Sequence, residues 1–312
     1  MHTPHHTRHE TLGMALGFLG VTIFALTLPM TRLATGTADS PLLSPWFVTF
    51  GRLALAGALS LLFLGVTRSP LPTPTQRKPL LLALLGNAIG FPLLLAWALR
   101  YVPSGHAAVV TALLPLATAA IAAWVLHQRA RLGFWVCACV GSALVVVFSV
   151  SRGLQQGHGL GLEWADALLL GAVLTASMGY VYGAQVTPSL GAERVICWVC
   201  VLALPISVPG TLLTWPSHSV PASAWWALAY VGFFSMWAGF FAWYRGLAMG
   251  GALKVSQTQL LQPFLSILAA VPLLGEPLEG TTLAFAAGVV ATVFLGKHFA
   301  TRTLPRPQRP AL

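Results

Sequence analysis

Ser104-Gly105-His106 places a hydroxyl and an imidazole close together, the nearest approach to nucleophile-and-base chemistry in this 312-residue chain. Such chemistry needs the two groups in contact, with a third that orients the base. Neighbours at a helix start do not meet that geometry, and no acid lies nearby in the sequence. The chain also lacks H-E-x-x-H, G-x-S-x-G and a P-loop lysine. No catalytic residue and no cofactor is expected, and an enzyme is the minor reading. Cys197 and Cys200 form a C-x-x-C, but within an apolar run this is a pair of small side chains on one helix face. Cys137 and Cys139 read the same way. His2, His5, His6 and His9 sit in an N-terminal tail that holds no fixed geometry, so no metal site is expected.

The residues that could hold a solute are more informative. Arg52, in TFGRLALAG, is the one cation well inside an apolar run. It can meet a substrate carboxylate, snorkel, or bond helix-end carbonyls. Ser256, Gln259, Gln262 or Pro263, and Ser266 recur at three- and four-residue steps, a polar stripe on one helix face. Thr111, Pro115 and Thr118 hold the matching places earlier in the chain. Amides facing lipid are unfavourable, so this face should point inward, toward a solute or another helix. Asn87, Trp97, Tyr101, Tyr180, Trp237 and Tyr244 complete a candidate lining. Trp46, Trp164, Trp215, Trp225 and Trp226 lie near run ends, where indoles anchor at lipid headgroups. None of the seven Asp and Glu residues lies in the middle of a run, which weakens a carboxylate proton relay. Proton coupling through His106, or no coupling at all, both stay open.

What positions these residues is a membrane. The chain is 56% hydrophobic and only 8% charged, with mean hydropathy +0.78; a soluble protein carries about 25% charged residues. Ten apolar runs suit helices that cross a bilayer: 12–34, 43–66, 79–101, 104–126, 132–150, 164–187, 194–215, 223–247, 252–274 and 280–299. The first is too long for a signal-peptide core and reads as a retained span. The net charge of +10 comes from Lys and Arg scattered between runs, with no basic face for nucleic acid. With the N-terminus inside, inner segments hold 13 of the 17 basic residues, while Arg32, Arg100 and Arg152 lie outside. That asymmetry places both termini in the cytoplasm.

The chain also repeats itself at an offset of about 148. Leu113, Pro115, Ala122 and Leu126 fall on Leu261, Pro263, Ala270 and Leu274, and LTLPM from Leu26 falls on LTASM from Leu174. Each half then reads as one five-helix unit. Five is odd, so the second copy enters the membrane inverted, a design that places a substrate near the midplane. The expected organisation is a tail at 1–11, a first repeat at 12–150, a linker at 151–163, a second repeat at 164–299 and a basic disordered tail at 300–312. The fold class is all-α integral membrane protein. Nothing in the pattern sets an oligomeric state.

These pieces resemble the drug/metabolite transporter superfamily, specifically its EamA-like family. The matching segments are FALTLPMTRLA, GRLALAGAL, ALRYVPSGHAAVVTALLPLATAAIAA and GEPLEGTTLAFAAGVVATVFLG, within a likeness spanning about 12–299. The first repeat departs at His127-Gln128, where the family often has Gly-Glu; Gly275-Glu276 keeps the pattern. The resemblance implies alternating-access movement of a small organic metabolite, commonly amino acid export, through the inner membrane. Drug or nucleoside-like transport on the same fold is an alternative, and a non-transporting scaffold or receptor is another. The candidate substrate-binding set is Arg52, Asn87, Trp97, Tyr101, His106, Thr111, Tyr180, Trp237, Tyr244, Gln259 and Gln262.

Overall fold

Backbone groups in hydrocarbon have no water to bond, so long apolar runs become helices. The computed structural model describes residues 4–125, 132–155, 164–250 and 255–300. The side chains of His2 to His9, the His127-Gln128 departure and the basic tail lie outside the described residues. The chain is all-α. Its helices are α1 (Pro4–Ala25), α2 (Thr27–Thr35), α3 (Pro45–Val66), α4 (Pro74–Ala83), α5 (Phe91–Ala98), α6 (Ser104–Thr111), α7 (Leu114–Val125), α8 (Leu132–Gln155) and α9 (Trp164–Leu190). There follow α10 (Ala192–Leu213), α11 (Ala222–Tyr230), α12 (Gly239–Gly250), α13 (Gln262–Leu274) and α14 (Gly280–Ala300).

Seven helical runs among the described residues are long and apolar enough to cross a membrane. Three further apolar helices, Leu132–Phe148, Thr258–Leu274 and Gly280–Gly296, are shorter. Each of these three is bounded on at least one side by a residue whose side chain is not described. Outward side chains such as Leu62, Trp124, Leu213 and Trp226 are mostly exposed, as a lipid-facing surface requires. The chain is a multi-pass membrane protein.

A small apolar cluster packs Phe47 and Val48 on Leu228 and Val231. Two larger ones fill the rest of the interior, and each mixes residues from both halves of the chain. One joins Leu95, Leu99, Leu113 and Phe148 to Leu169, Ile267 and Val289. The other joins Val21, Leu53 and Leu80 to Ile196, Met236 and Phe240.

Besides the lapse at Leu26 between α1 and α2, four irregular stretches break the helices. Leu84–Gly90 and Val231–Ala238 are π-helical, at nearly the offset found in the sequence. Pro92 follows the first and cannot donate to the carbonyl four residues back. Between α6 and α7 the helix lapses at Ala112 and Leu113, just before Pro115. In the second half Ser256–Leu261 is a 3-10 helix, just before Pro263.

Glycines set how closely the helices approach. A Cβ on Gly179 of α9 would lie 2.5 Å from Asn87 Cγ, and one on Gly86 would lie 2.4 Å from the Thr175 carbonyl. The first π segment therefore rests on the backbone of α9. Gly246 of α12 faces Gly17 and Gly13 of α1 in the same manner, its Cβ position 2.7 Å from Gly17 N. The Gly13, Gly17, Gly179 and Gly246 spacings thus serve close packing.

One end of the bundle is tied by charge. Gly275 closes α13 in the left-handed conformation, φ 67°, which suits a residue without Cβ. Glu276 then turns onto the start of α6. Its carboxylate accepts from Ser104 N at 2.8 Å, Ser104 Oγ at 2.9 Å and Gly105 N at 3.0 Å. Arg32 of α2 meets the same carboxylate at 3.3 Å and donates to the carbonyls of Leu99, at 2.8 Å, and Val102. Nearby, His106 of α6 and Asp166 of α9 lie 2.7 Å apart, both buried. The acids that seemed distant from Ser104 and His106 in the sequence reach them through tertiary packing.

Two outcomes follow. Gly179→Val should destabilise the purified protein by about 1–3 kcal/mol through overpacking against the π segment, read as an earlier thermal transition in detergent. Glu276→Ala should cost roughly 2–4 kcal/mol by the same measurement, with Glu276→Gln intermediate, because it removes a helix cap and a charged hydrogen-bond acceptor together.

Candidate functional site

The four helix irregularities meet at one place. Between the two larger apolar clusters lies a cavity of about 70 Å³. Its wall takes Phe24, Thr27 and Leu28 from the first span, Arg52 from α3, and Asn87 and Phe91 from the first π segment and α5. Thr111, Ala112, Leu114 and Pro115 come from the break between α6 and α7. Tyr180 of α9, Ser235 and Met236 of the second π segment, and Phe240 complete one side. Gln259, Leu260, Gln262, Pro263 and Val290 supply the rest.

Asn87, Ser235 and Gln259 lie in the irregular segments, whereas Arg52 and Tyr180 project from regular α-helix. The second π segment approaches α3 through Gly232, whose Cβ position would lie 3.3 Å from the Arg52 backbone. Three residues on, Ser235 Oγ accepts from Arg52 Nη2 at 3.2 Å and pairs with Thr27 Oγ1 at 2.8 Å. Met236 Sδ lies 3.9 Å from the same nitrogen. Arg52 is only 3% exposed, and its buried Nε has no hydrogen-bond partner. Among the described residues no carboxylate stands in the wall. On the opposite side, Gln259 belongs to the 3-10 turn and Gln262 begins α13. A 3-10 turn stacks residues three apart, which keeps the two amides on one edge. Among the described residues the side chains of Asn87, Gln259 and Gln262 make no hydrogen bond to the protein.

Six of the eleven expected residues line this cavity: Arg52, Asn87, Thr111, Tyr180, Gln259 and Gln262. The other five do not. Trp97 packs on Trp164, with the Arg100 guanidinium 5.9 Å from its ring centre. Tyr101 is 42% exposed and rests edge-on against Trp164. His106 is held by Asp166 and lies against Phe148. Trp237 sits among Phe63, Phe233 and Phe241, and Tyr244 stacks beside Phe240 in the second of the larger apolar clusters. Each of the five is held by other partners away from the wall: aromatic rings for Trp97, Tyr101, Trp237 and Tyr244, and Asp166 for His106. Of the polar stripe, Ser266 bonds the Ala25 carbonyl at 2.7 Å and serves packing, while the Ser256 side chain lies outside the described residues.

Sequence reasoning missed Ser235, Met236, Thr27 and the phenylalanines of the wall. A signal for Ser235 existed, since the offset of 148 carries Asn87 onto it. No metal-binding cluster of three or more His, Cys, Asp or Glu occurs among the described residues.

Comparison with known proteins agrees with this architecture. The EamA-like transporter family matches residues 11–150 and again 163–296. The chain is 40% identical over 294 residues to the uncharacterized transporter YdeK of Bacillus subtilis (strain 168), covering 93% of this chain and 98% of that protein. It also shares the fold of a solved crystal structure at TM-score 0.62 and 23% identity, over 95% of this chain and 98% of that one. A chain matched by a transporter family along both halves, and by a near-full-length relative, is a membrane transporter rather than an enzyme: it belongs to the EamA-like family of the drug/metabolite transporter superfamily.

Proposed function

We propose that the central cavity is the substrate site of an alternating-access transporter that exports a small organic metabolite, such as an amino acid, across the inner membrane. The observation that carries this reading is a buried cavity, mostly apolar with a few polar groups, whose wall is drawn from both halves of the chain. The arrangement we propose is ten spans in two inverted five-helix units, 12–150 and 164–299, with both termini in the cytoplasm. The paired π segments and the paired breaks before Pro115 and Pro263 support it. Units that rock against one another open the midplane site to each side in turn. The substrate-contacting residues are Arg52, Asn87, Thr111, Tyr180, Gln259 and Gln262. Proton coupling through His106 would act on helix packing, since its ring lies outside the cavity wall.

Flux of labelled amino acids in proteoliposomes tests this. Gln259→Ala and Asn87→Ala should each lower the initial rate about three- to tenfold, the loss of one or two hydrogen bonds to solute. Trp97→Ala should stay near wild type. Equal rates for all three folded variants would dismiss the cavity as the site. Folded wild-type protein that carries no solute would favour the scaffold reading.

A further inference from the structure

We propose that the solute bound in the cavity carries a single carboxylate, and that Arg52 is the residue that binds it. This takes the cavity to be the transport site, as proposed above. Its charge argument stands on separate observations. Among the described residues of the cavity wall, Arg52 is the one that carries a charge. Its guanidinium is almost wholly buried, with one hydroxyl and one thioether as its bonded neighbours and a buried Nε left without an acceptor. The carboxylates found in ion pairs among the described residues, Glu276 and Asp166, are held by Arg32 and His106. A buried cation without counter-charge is strongly unfavourable, and an ionisable group kept inside a membrane protein marks the path of a ligand or ion.

The kind of anion follows from the same balance. Arginine presents a planar fork of donors that matches the two oxygens of a carboxylate. One carboxylate neutralises one guanidinium. A phosphate monoester, at about −1.5 to −2, would leave excess negative charge among apolar side chains. A cationic drug would add a second positive charge with no acid to receive it. The rest of the wall offers amide groups from Asn87, Gln259 and Gln262 and the rings of Phe91 and Phe240. That combination suits a carboxylate with an apolar body and one further polar group. Zwitterionic amino acids fall within the class.

The test is a thermal-shift series on the full-length protein purified in detergent. The probes share one body: phenylacetate, phenylalanine, phenylacetamide and phenethylamine, with acetate to hexanoate and their amides alongside. A ligand that binds the folded state raises the transition temperature with concentration. At least one acid should do so at millimolar concentration, and its amide and amine should not. Arg52→Gln should weaken that response by roughly tenfold or more in affinity, the loss of a charged hydrogen bond, while Arg52→Lys retains part of it. If Arg52→Gln does not fold, the wild-type comparison of acid with amide decides alone. The proposal is overturned by equal shifts from amides or amines, by no shift from any acid, or by an unchanged response in folded Arg52→Gln. Arg52-dependent acid binding without flux in proteoliposomes would overturn the transport reading and keep this one. Gln259-dependent flux of neutral or cationic solutes, with no acid bound, would do the reverse.

Discussion

Every backbone group within the bilayer must find its partner inside the protein. That requirement governs the architecture. Straight α-helices meet it throughout the outer shell, where exposed leucines and valines face lipid. The helices depart from α geometry in two π segments, in the break before Pro115 and in the 3-10 turn before Pro263. All four contribute to the cavity wall. Irregular backbone is tolerated in a membrane protein where it lines a cavity or is buried in protein. The same irregularity that costs regular hydrogen bonding turns Asn87 and Ser235 toward the centre.

The arginines illustrate how a membrane fold disposes of charge. Arg32 is consumed by structure, bonding helix-end carbonyls and Glu276. Arg100 bonds the Leu43 carbonyl at 3.1 Å and lies over the Trp97 ring. Both sit at span ends, where carbonyls are unsatisfied and available. Arg52 lies within α3, and among the described residues no carbonyl accepts from it. Its partners are a serine and a methionine on the second π segment.

Much of this was legible from the residues. Apolar runs matched seven membrane-length helices among the described residues to within five residues at each end, because hydrocarbon thickness fixes helix length. The depth of Arg52 and Asn87 followed from their positions in those runs. The offset of 148 tied Thr111 to Gln259 and Pro115 to Pro263, and all four line the cavity. What could not be read was direction. Trp97 and Trp237 sit in the third helix of each half, yet they pack on neighbouring aromatics away from the cavity wall. Nor did sequence proximity disclose the partners of Ser104 and His106, since Glu276 and Asp166 lie 172 and 60 residues away. The Gly275-Glu276 pair, read as a loop signature, is a helix stop followed by the cap of a different helix.

That cap joins three elements through groups that are each half of an unfinished hydrogen-bond set. Glu276 completes the amide end of α6, and Arg32 completes the carbonyl end beyond α5. Pulling the elements apart leaves four kinds of stranded partner at once: amides, carbonyls, a carboxylate and a guanidinium. Only water can replace all of them together. Separation of these elements and the entry of water between them would therefore be a single event.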